Sequence, residues 1–224
     1  MPDMAATNAV TGVIFDVDGV LVDSAAPHFE SWRQLGSENG TVVTQERFAT
    51  TFGRHNRDII PLLFGEVSQQ QITALSERKE EIYRGLIRTA APIVGGAADL
   101  VRSLHDAGVR LAVGSSAPRE NIDLVLEALG VRGLFSVIVS ADDVQRGKPD
   151  PQVFVLACER LGIPKERCVV IEDAPAGVEA ARAAGARCVA VMIHHGPQAL
   201  RRADLRVGKL SDLTVGMITT LANE

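Results

Sequence analysis

VTGVIFDVDGVLVDS, residues 10–24, runs an apolar segment into two aspartates spaced two apart. VTGVIFDV (10–17) reads as a strand covered on both faces, because its apolar residues are nearly continuous rather than alternating. Asp16 and Asp18 stand where that strand ends, and side chains two apart in extended backbone point the same way. Asp18-Gly19 between apolar residues is also a hairpin signal, so this stretch alone leaves both a functional strand end and a plain turn open.

Downstream, short apolar runs alternate with helical spacing. VRLAVGSS (109–116), LFSVIVS (134–140), CVVIED (168–173) and ARCVAVMI (186–193) read as strands. Between them lie a helix over 96–108, with Leu100, Val101, Leu104 and Ala107 on one face and Gly108 as its stop, and one opened by Pro118, with Ile122, Val125, Leu126 and Leu129 together. Further helices run from about 151 to 161 and over the Ala-rich 175–184, stopped by Gly185. A parallel return needs a helix-length connection, so this order predicts an α/β fold, a doubly wound parallel sheet. From 23 to 89 the pattern is helical throughout, as in SQQQITALSERKEEIYRGLI (68–87). The expected division is a catalytic core of residues 1–22 and 90–224 and a helical cap of 23–89 inserted after the first strand. An insert at that point covers the carboxyl ends of the strands, where open α/β sheets bind ligands.

The 224 residues are 46% hydrophobic and 23% charged, which fits one globular domain with an insert and argues against disorder. A net charge of −5, with one Trp, one Tyr and seven Phe, leaves neither a basic footprint nor stacking platforms for nucleic acid. No apolar run approaches the roughly 18 residues of a membrane helix, and MPDMAATNAV lacks the basic and apolar regions of a secretory signal. Cys158, Cys168 and Cys188 show no CxxC spacing, and Cys158 shares a helical stripe with Phe154 and Leu161, as a buried thiol does. A cytoplasmic protein is expected, with monomer and homodimer both open.

Three further segments stand at strand ends. Gly114-Ser115-Ser116 precedes a helix, where backbone amides and a hydroxyl suit an anion, although for this pair alone Ser116 as a simple helix cap is the better explanation. In RGKPDP (146–151) the Gly147-Lys148 pair is not a phosphate-binding loop, since position 142 is Asp and Pro149 follows; alone, Lys148 is a loop lysine. VVIEDAPAG (169–177) puts Glu172 and Asp173 before a helix, where acids also merely complement the dipole. Parallel pairing, however, gathers Asp16, Asp18, Glu172 and Asp173 at one sheet edge, where they repel one another unless a cation is bound. Lys148 and a hard divalent cation, Mg²⁺ for an all-oxygen donor set, resolve that repulsion. A carboxylate nucleophile, a second carboxyl for proton transfer, a cation and a phosphate-holding strand end make a phosphoryl-transfer site.

DVDGVLVDS, the GSS strand end, KPDP and VVIEDAPAG, in this order, resemble the four motifs of the haloacid dehalogenase superfamily, and the insert resembles its C1 cap. The nearest likeness is to the subfamily of β-phosphoglucomutases and small sugar-phosphate phosphatases. The resemblance implies Asp16 as nucleophile and Asp18 as general acid and base, with Gly19 beside them. It implies Ser115, assisted by Ser116, as the phosphoryl holder and Lys148 as the neutralising cation. It places Mg²⁺ on Asp16, the Asp18 carbonyl and Asp173, with Glu172 beside or ligating.

In the cap, the same resemblance points to His28, Trp32 and Lys79 near the substrate, although Trp32 as cap packing and the other two as solvated residues are equally open. In GRHNRD (53–58), Asn56 stands where the mutase has the arginine that grips a distal phosphate, flanked by Arg54 and Arg57. A guanidinium fork is geometrically exacting, so this departure favours hydrolysis of a small phosphorylated metabolite over a β-phosphoglucomutase-type isomerase. A non-catalytic module with this fold predicts a broken catalytic position, and Asp16, Asp18, Ser115, Lys148 and Asp173 are all present.

Overall fold

The computed structural model describes residues 11–51 and 55–224. Six parallel strands run in the order β3-β2-β1-β4-β5-β6. They are β1 (Gly12–Phe15), β2 (Arg110–Gly114), β3 (Val137–Val139), β4 (Cys168–Glu172), β5 (Arg187–Val191) and β6 (Leu205–Val207). The chain winds outward from β1 through β2 to β3, then restarts at β4 on the other side of β1. The topological switch point therefore lies between β1 and β4. Because β1 pairs with β2 and β4, both parallel, the hairpin reading of Asp18-Gly19 is excluded.

Alternation along the strands sorts the core into two layers. Val13, Phe15, Leu111, Val113, Val169 and Ile171 face one side, under α5 (Ala97–Asp106), α6 (Arg119–Ala128) and α9 (Val215–Leu221). Ile14, Ala112, Cys168, Val170 and Cys188 face the other, under α7 (Gln152–Leu161) and α8 (Pro175–Ala184). Burial on both faces is why these strands read as continuous apolar runs. The three cysteines are buried and free, in line with the sequence reading. β6 and α9 were not foreseen: Leu205-Arg206-Val207 is too short and too polar to stand out.

Among the described residues, four helices lie between β1 and α5: α1 (Ala25–Glu38), α2 (Gln45–Ala49), α3 (Asn56–Phe64) and α4 (Gln69–Thr89). Ser68 caps α4 through a reciprocal capping box with Gln71. These helices share a third apolar cluster built on Trp32, Leu35, Phe48, Ile60 and Leu63. Tyr83 and Ile87, at the far end of α4, pack instead into the sheet's own core. The segments entering and leaving this region run side by side, with Val22 bridged to Ile93 and the Asp23 amide donating to the Pro92 carbonyl at 2.8 Å.

The last residue of β2 is constrained by α7. A Cβ on Gly114 meets the Phe154 ring at 2.9 Å and Ile14 Cγ2 at 3.1 Å. Gly114→Ala is expected to destabilise the protein by about 1–3 kcal/mol through overpacking. Adding Phe154→Leu should recover part of that loss, and urea unfolding of the single and double variants checks both.

Candidate active site

The site grows out of the β1–β4 pairing. Phe15 lies beside Ile171, and the Asp16 amide donates to the Ile171 carbonyl at 3.0 Å. Asp16 therefore stands next to the end of β4, where Glu172 closes the strand and Asp173 follows. Carboxylate oxygens of Asp16, Glu172 and Asp173, all buried, lie within 4.8 Å of one another. Lys148, from the loop between β3 and α7, reaches between two of them, its Nζ donating to Asp16 Oδ1 at 2.8 Å and to Glu172 Oε1 at 2.7 Å. Among the described residues no cationic side chain pairs with Asp173.

Two glycines make room for these carboxylates. Gly19 sits at φ 77°, and a Cβ there would lie 2.0 Å from Asp173 Oδ2. A Cβ on Gly177, in the first turn of α8, would lie 1.7 Å from Glu172 Oε1. The second Glu172 oxygen accepts from the amides of Asp173 and Ala174 at 2.8 and 3.0 Å, so this carboxylate is held on every side.

Burial pushes Asp16 up to about 7; Lys148 pulls against that shift, while Glu172 and Asp18 add to it. Asp173 rises to about 9 through burial and the charges of Glu172 and Asp16. Burial opposes the charge on Lys148, yet Asp16 and Glu172 outweigh it and hold the ammonium above its ordinary range. The donor set is oxygen only and brings three carboxyl groups to one ammonium, which fits a hard divalent cation.

The carboxyl group of Asp18 is not part of this cluster. It meets His28, whose Nε2 is 3.4 Å from Asp18 Oδ1. Burial pushes Asp18 up, but the hydrogen bond from His28, with that of Ser24 and the charge of Lys79, brings the group down to about 2. The His28 ring stacks on Tyr83 at 4.2 Å, and its Nδ1 is 2.9 Å from Lys79 Nζ. With Lys79 as its ammonium, a pure donor, Nδ1 is the acceptor and Nε2 carries the proton toward Asp18. Lys79 is buried, bonded to Glu80 at 2.8 Å and set over the Trp32 and Tyr83 rings at 5.6 and 5.1 Å, so it is no solvated lysine.

A cleft of about 1450 Å³ opens above these groups. Asp16, Asp18, Gly19, Ser115, Ser116, Lys148, Glu172 and Asp173 line it from the sheet side, and His28, Trp32, Asn56, Arg57 and Lys79 from the inserted helices. Arg54 lies outside the described residues. Ser115 is buried, and its hydroxyl accepts from the Ala117 amide at 3.1 Å. Ser116 does not cap α6, whose N-cap is Pro118. Trp32 is both cleft wall and cluster centre, 1% exposed. Sequence reasoning passed over Glu80, Asn121, His194 and His195, which also line the cleft. The histidines follow β5, and the rule that ligands gather at strand carboxyl ends was enough to find them; nothing in the charged run SERKEE marks Glu80.

The sequence pattern of the haloacid dehalogenase-like hydrolases matches residues 10–185, and the chain belongs to that family. It is 32% identical to validoxylamine A 7′-phosphate phosphatase of Streptomyces hygroscopicus subsp. limoneus, over 89% of this chain and 94% of that one. It is 30% identical to the β-phosphoglucomutase of Bacillus subtilis (strain 168), over 92% of each. The crystal structure of β-phosphoglucomutase from Clostridium difficile superposes with a TM-score of 0.85 at 25% identity, covering 96% of this chain and 97% of that one.

Gly177→Ala is expected to dislodge the Glu172 carboxylate and weaken divalent-cation binding by about 10–100-fold, the usual cost of disturbing a group that orients metal ligands. Titration calorimetry with Mg²⁺ on the purified variant and parent checks this.

Proposed function

We propose that the protein is an Mg²⁺-dependent phosphatase of small phosphorylated metabolites, sugar phosphates foremost, acting through an aspartyl-phosphate on Asp16. The observation that carries this reading is the buried Asp16–Lys148–Glu172–Asp173 cluster at the sheet's switch point, with Asp18 two residues on. Asp16, the Asp18 carbonyl and Asp173, with Glu172 beside them, are the groups that would hold Mg²⁺. When bound, the cation supplies charge neutralisation for an incoming phosphoryl group.

An Asp16 carboxylate oxygen attacks phosphorus, and the ester oxygen departs with a proton from Asp18. Ser115 and Ser116 hold the phosphoryl oxygens, and Lys148, bonded to Asp16 Oδ1, favours its ionised form against the opposing effect of burial. Asp18 then removes a proton from water, whose oxygen attacks the aspartyl-phosphate, freeing phosphate and restoring Asp16. The contact with His28 holds Asp18 as a carboxylate, the form the second step requires. Arrival of a phosphate dianion beside Asp18 raises its affinity for the proton the first step delivers.

In this reading residues 23–89 form a lid over a core of 1–22 and 90–224. The paired connections at Val22 and Ile93 and the separate cluster around Trp32 support that division. Trp32 packs the lid, His28 and Lys79 face the reacting groups, and Asn56 and Arg57 meet the distal part of the substrate. A mutase remains the second reading, because Arg57 lines the cleft and offers a guanidinium for a second phosphate. The free cysteines support a reducing, cytoplasmic location, and no described helix is long and apolar enough to cross a membrane.

Asp16→Asn should lower phosphate release from p-nitrophenyl phosphate by at least about 10³-fold, as expected for loss of a covalent nucleophile, with the melting curve retained. Excess chelator should stop the wild-type reaction and added Mg²⁺ restore it. A panel of sugar monophosphates, assayed for free phosphate and for interconversion of β-glucose 1-phosphate and glucose 6-phosphate, should show phosphate release without isomerisation.

A further inference from the structure

Glu80 is a buried carboxylate that accepts from three segments at once. Its Oε1 takes hydrogen bonds from Lys79 Nζ at 2.8 Å and from Asn56 Nδ2, at the start of α3, at 2.7 Å. Its Oε2 takes one from Asn121 Nδ2 at 2.6 Å. Asn121 belongs to α6, on the sheet side of the cleft, and is itself 2% exposed. Its carbonyl accepts from Arg84 Nη1 at 3.3 Å, which fixes the orientation of the amide, and Arg84 also pairs with Glu120 at 3.0 Å. Three polar links thus join one turn of α4 to the first turn of α6, the helix that directly follows Ser115 and Ser116.

We propose that Glu80 and Asn121 are positioning residues, a latch that sets α4 against α6 and thereby places Lys79 and Asn56 over the substrate cleft. The contribution to turnover rests on the phosphatase reading; the latch itself rests on the geometry above. Charge-assisted bonds to a buried carboxylate are among the stronger polar contacts, and losing one partner leaves the other unsatisfied. Neither side chain bonds to Asp16 or Lys148, whose own contacts run to each other and to Glu172, so their removal leaves the nucleophile and its cation in place. Lys79 then loses its counter-charge and, with it, the fixed position from which it meets His28 beside Asp18.

The test uses the full chain as wild type, Glu80→Ala, Asn121→Ala, the double variant and Glu80→Gln. Amide hydrogen exchange should be about tenfold or more faster at the start of α6 and along the middle of α4 in each single variant, as loss of a bond to a charged group implies, with protection of β1 and β4 unchanged. At the start of α6 the double variant should add little to either single one, because the Glu80–Asn121 bond lost there is the same in both. Glu80→Gln, which keeps one acceptor oxygen, should recover part of the protection. With p-nitrophenyl phosphate, kcat should fall about tenfold through misplacement while KM stays within about threefold. Unchanged exchange in both single variants, additive losses at the start of α6 in the double variant, or a raised KM with kcat intact would overturn the latch. A wild-type protein that releases no phosphate refutes the phosphatase reading instead, and the exchange measurements still decide the latch.

Discussion

Asp16, Glu172 and Asp173 place three carboxylates within 4.8 Å of one another, out of water, with the single ammonium of Lys148 between two of them. Groups that repel so strongly stay together only because the backbone leaves them nowhere else to go. The β1–β4 register puts Asp16 beside the end of β4, and the amides of Asp173 and Ala174 grip Glu172. The close approach of Gly19 and Gly177 removes the remaining space. The sheet beneath supplies the rigidity, since its strands are buried on both faces and packed by helices over each. A site that is destabilising in isolation is thus carried by the part of the fold best able to bear it.

The inserted helices meet the same difficulty on the opposite wall. Lys79 and Glu80 are both buried, which ionised groups tolerate only when paired and hydrogen-bonded. They pair with each other and spread their remaining bonds to His28, Asn56 and Asn121. The aromatic faces of Trp32 and Tyr83 complete the surroundings of the ammonium. Each wall of the cleft therefore holds a buried lysine, Lys148 between the carboxylates of Asp16 and Glu172 and Lys79 between Glu80 and His28.

Much of this was legible in the sequence, for identifiable reasons. β1, β2, β4 and β5 are buried on both sides, so their apolar runs are unbroken and their ends fall where the motifs stand. Asp16, Glu172 and Asp173 could be placed together because parallel pairing alone brings strand ends to one edge. Ser115 and Lys148 joined them through the resemblance of the motifs, while the Asp18 carboxyl, expected with them, turns to His28 instead. Glu80 and Asn121 could not, because they are 41 residues apart and each sits among charged neighbours that read as a solvated helix face. Ser116 read as a helix cap because cap residues are recognised locally, whereas here Pro118 starts the helix. β6 escaped notice because three residues at a sheet edge carry too little periodicity to register.

The side-by-side course of residues 21–23 and 92–94 has a consequence for how such a molecule changes over time. The chain enters and leaves the inserted helices at nearly the same point, held there by bonds between backbone atoms that any sequence can make. What lies between is tethered like a loop whose ends are already closed, and the closure entropy of a loop grows only slowly with its length. Changes of length within α1–α3 therefore leave the strand register alone, whereas α4, whose Tyr83 and Ile87 pack into the sheet's own core, is tied to it. The side of the cleft built by α1–α3 can in this way vary in length and sequence while the carboxylates at the strand ends keep their places.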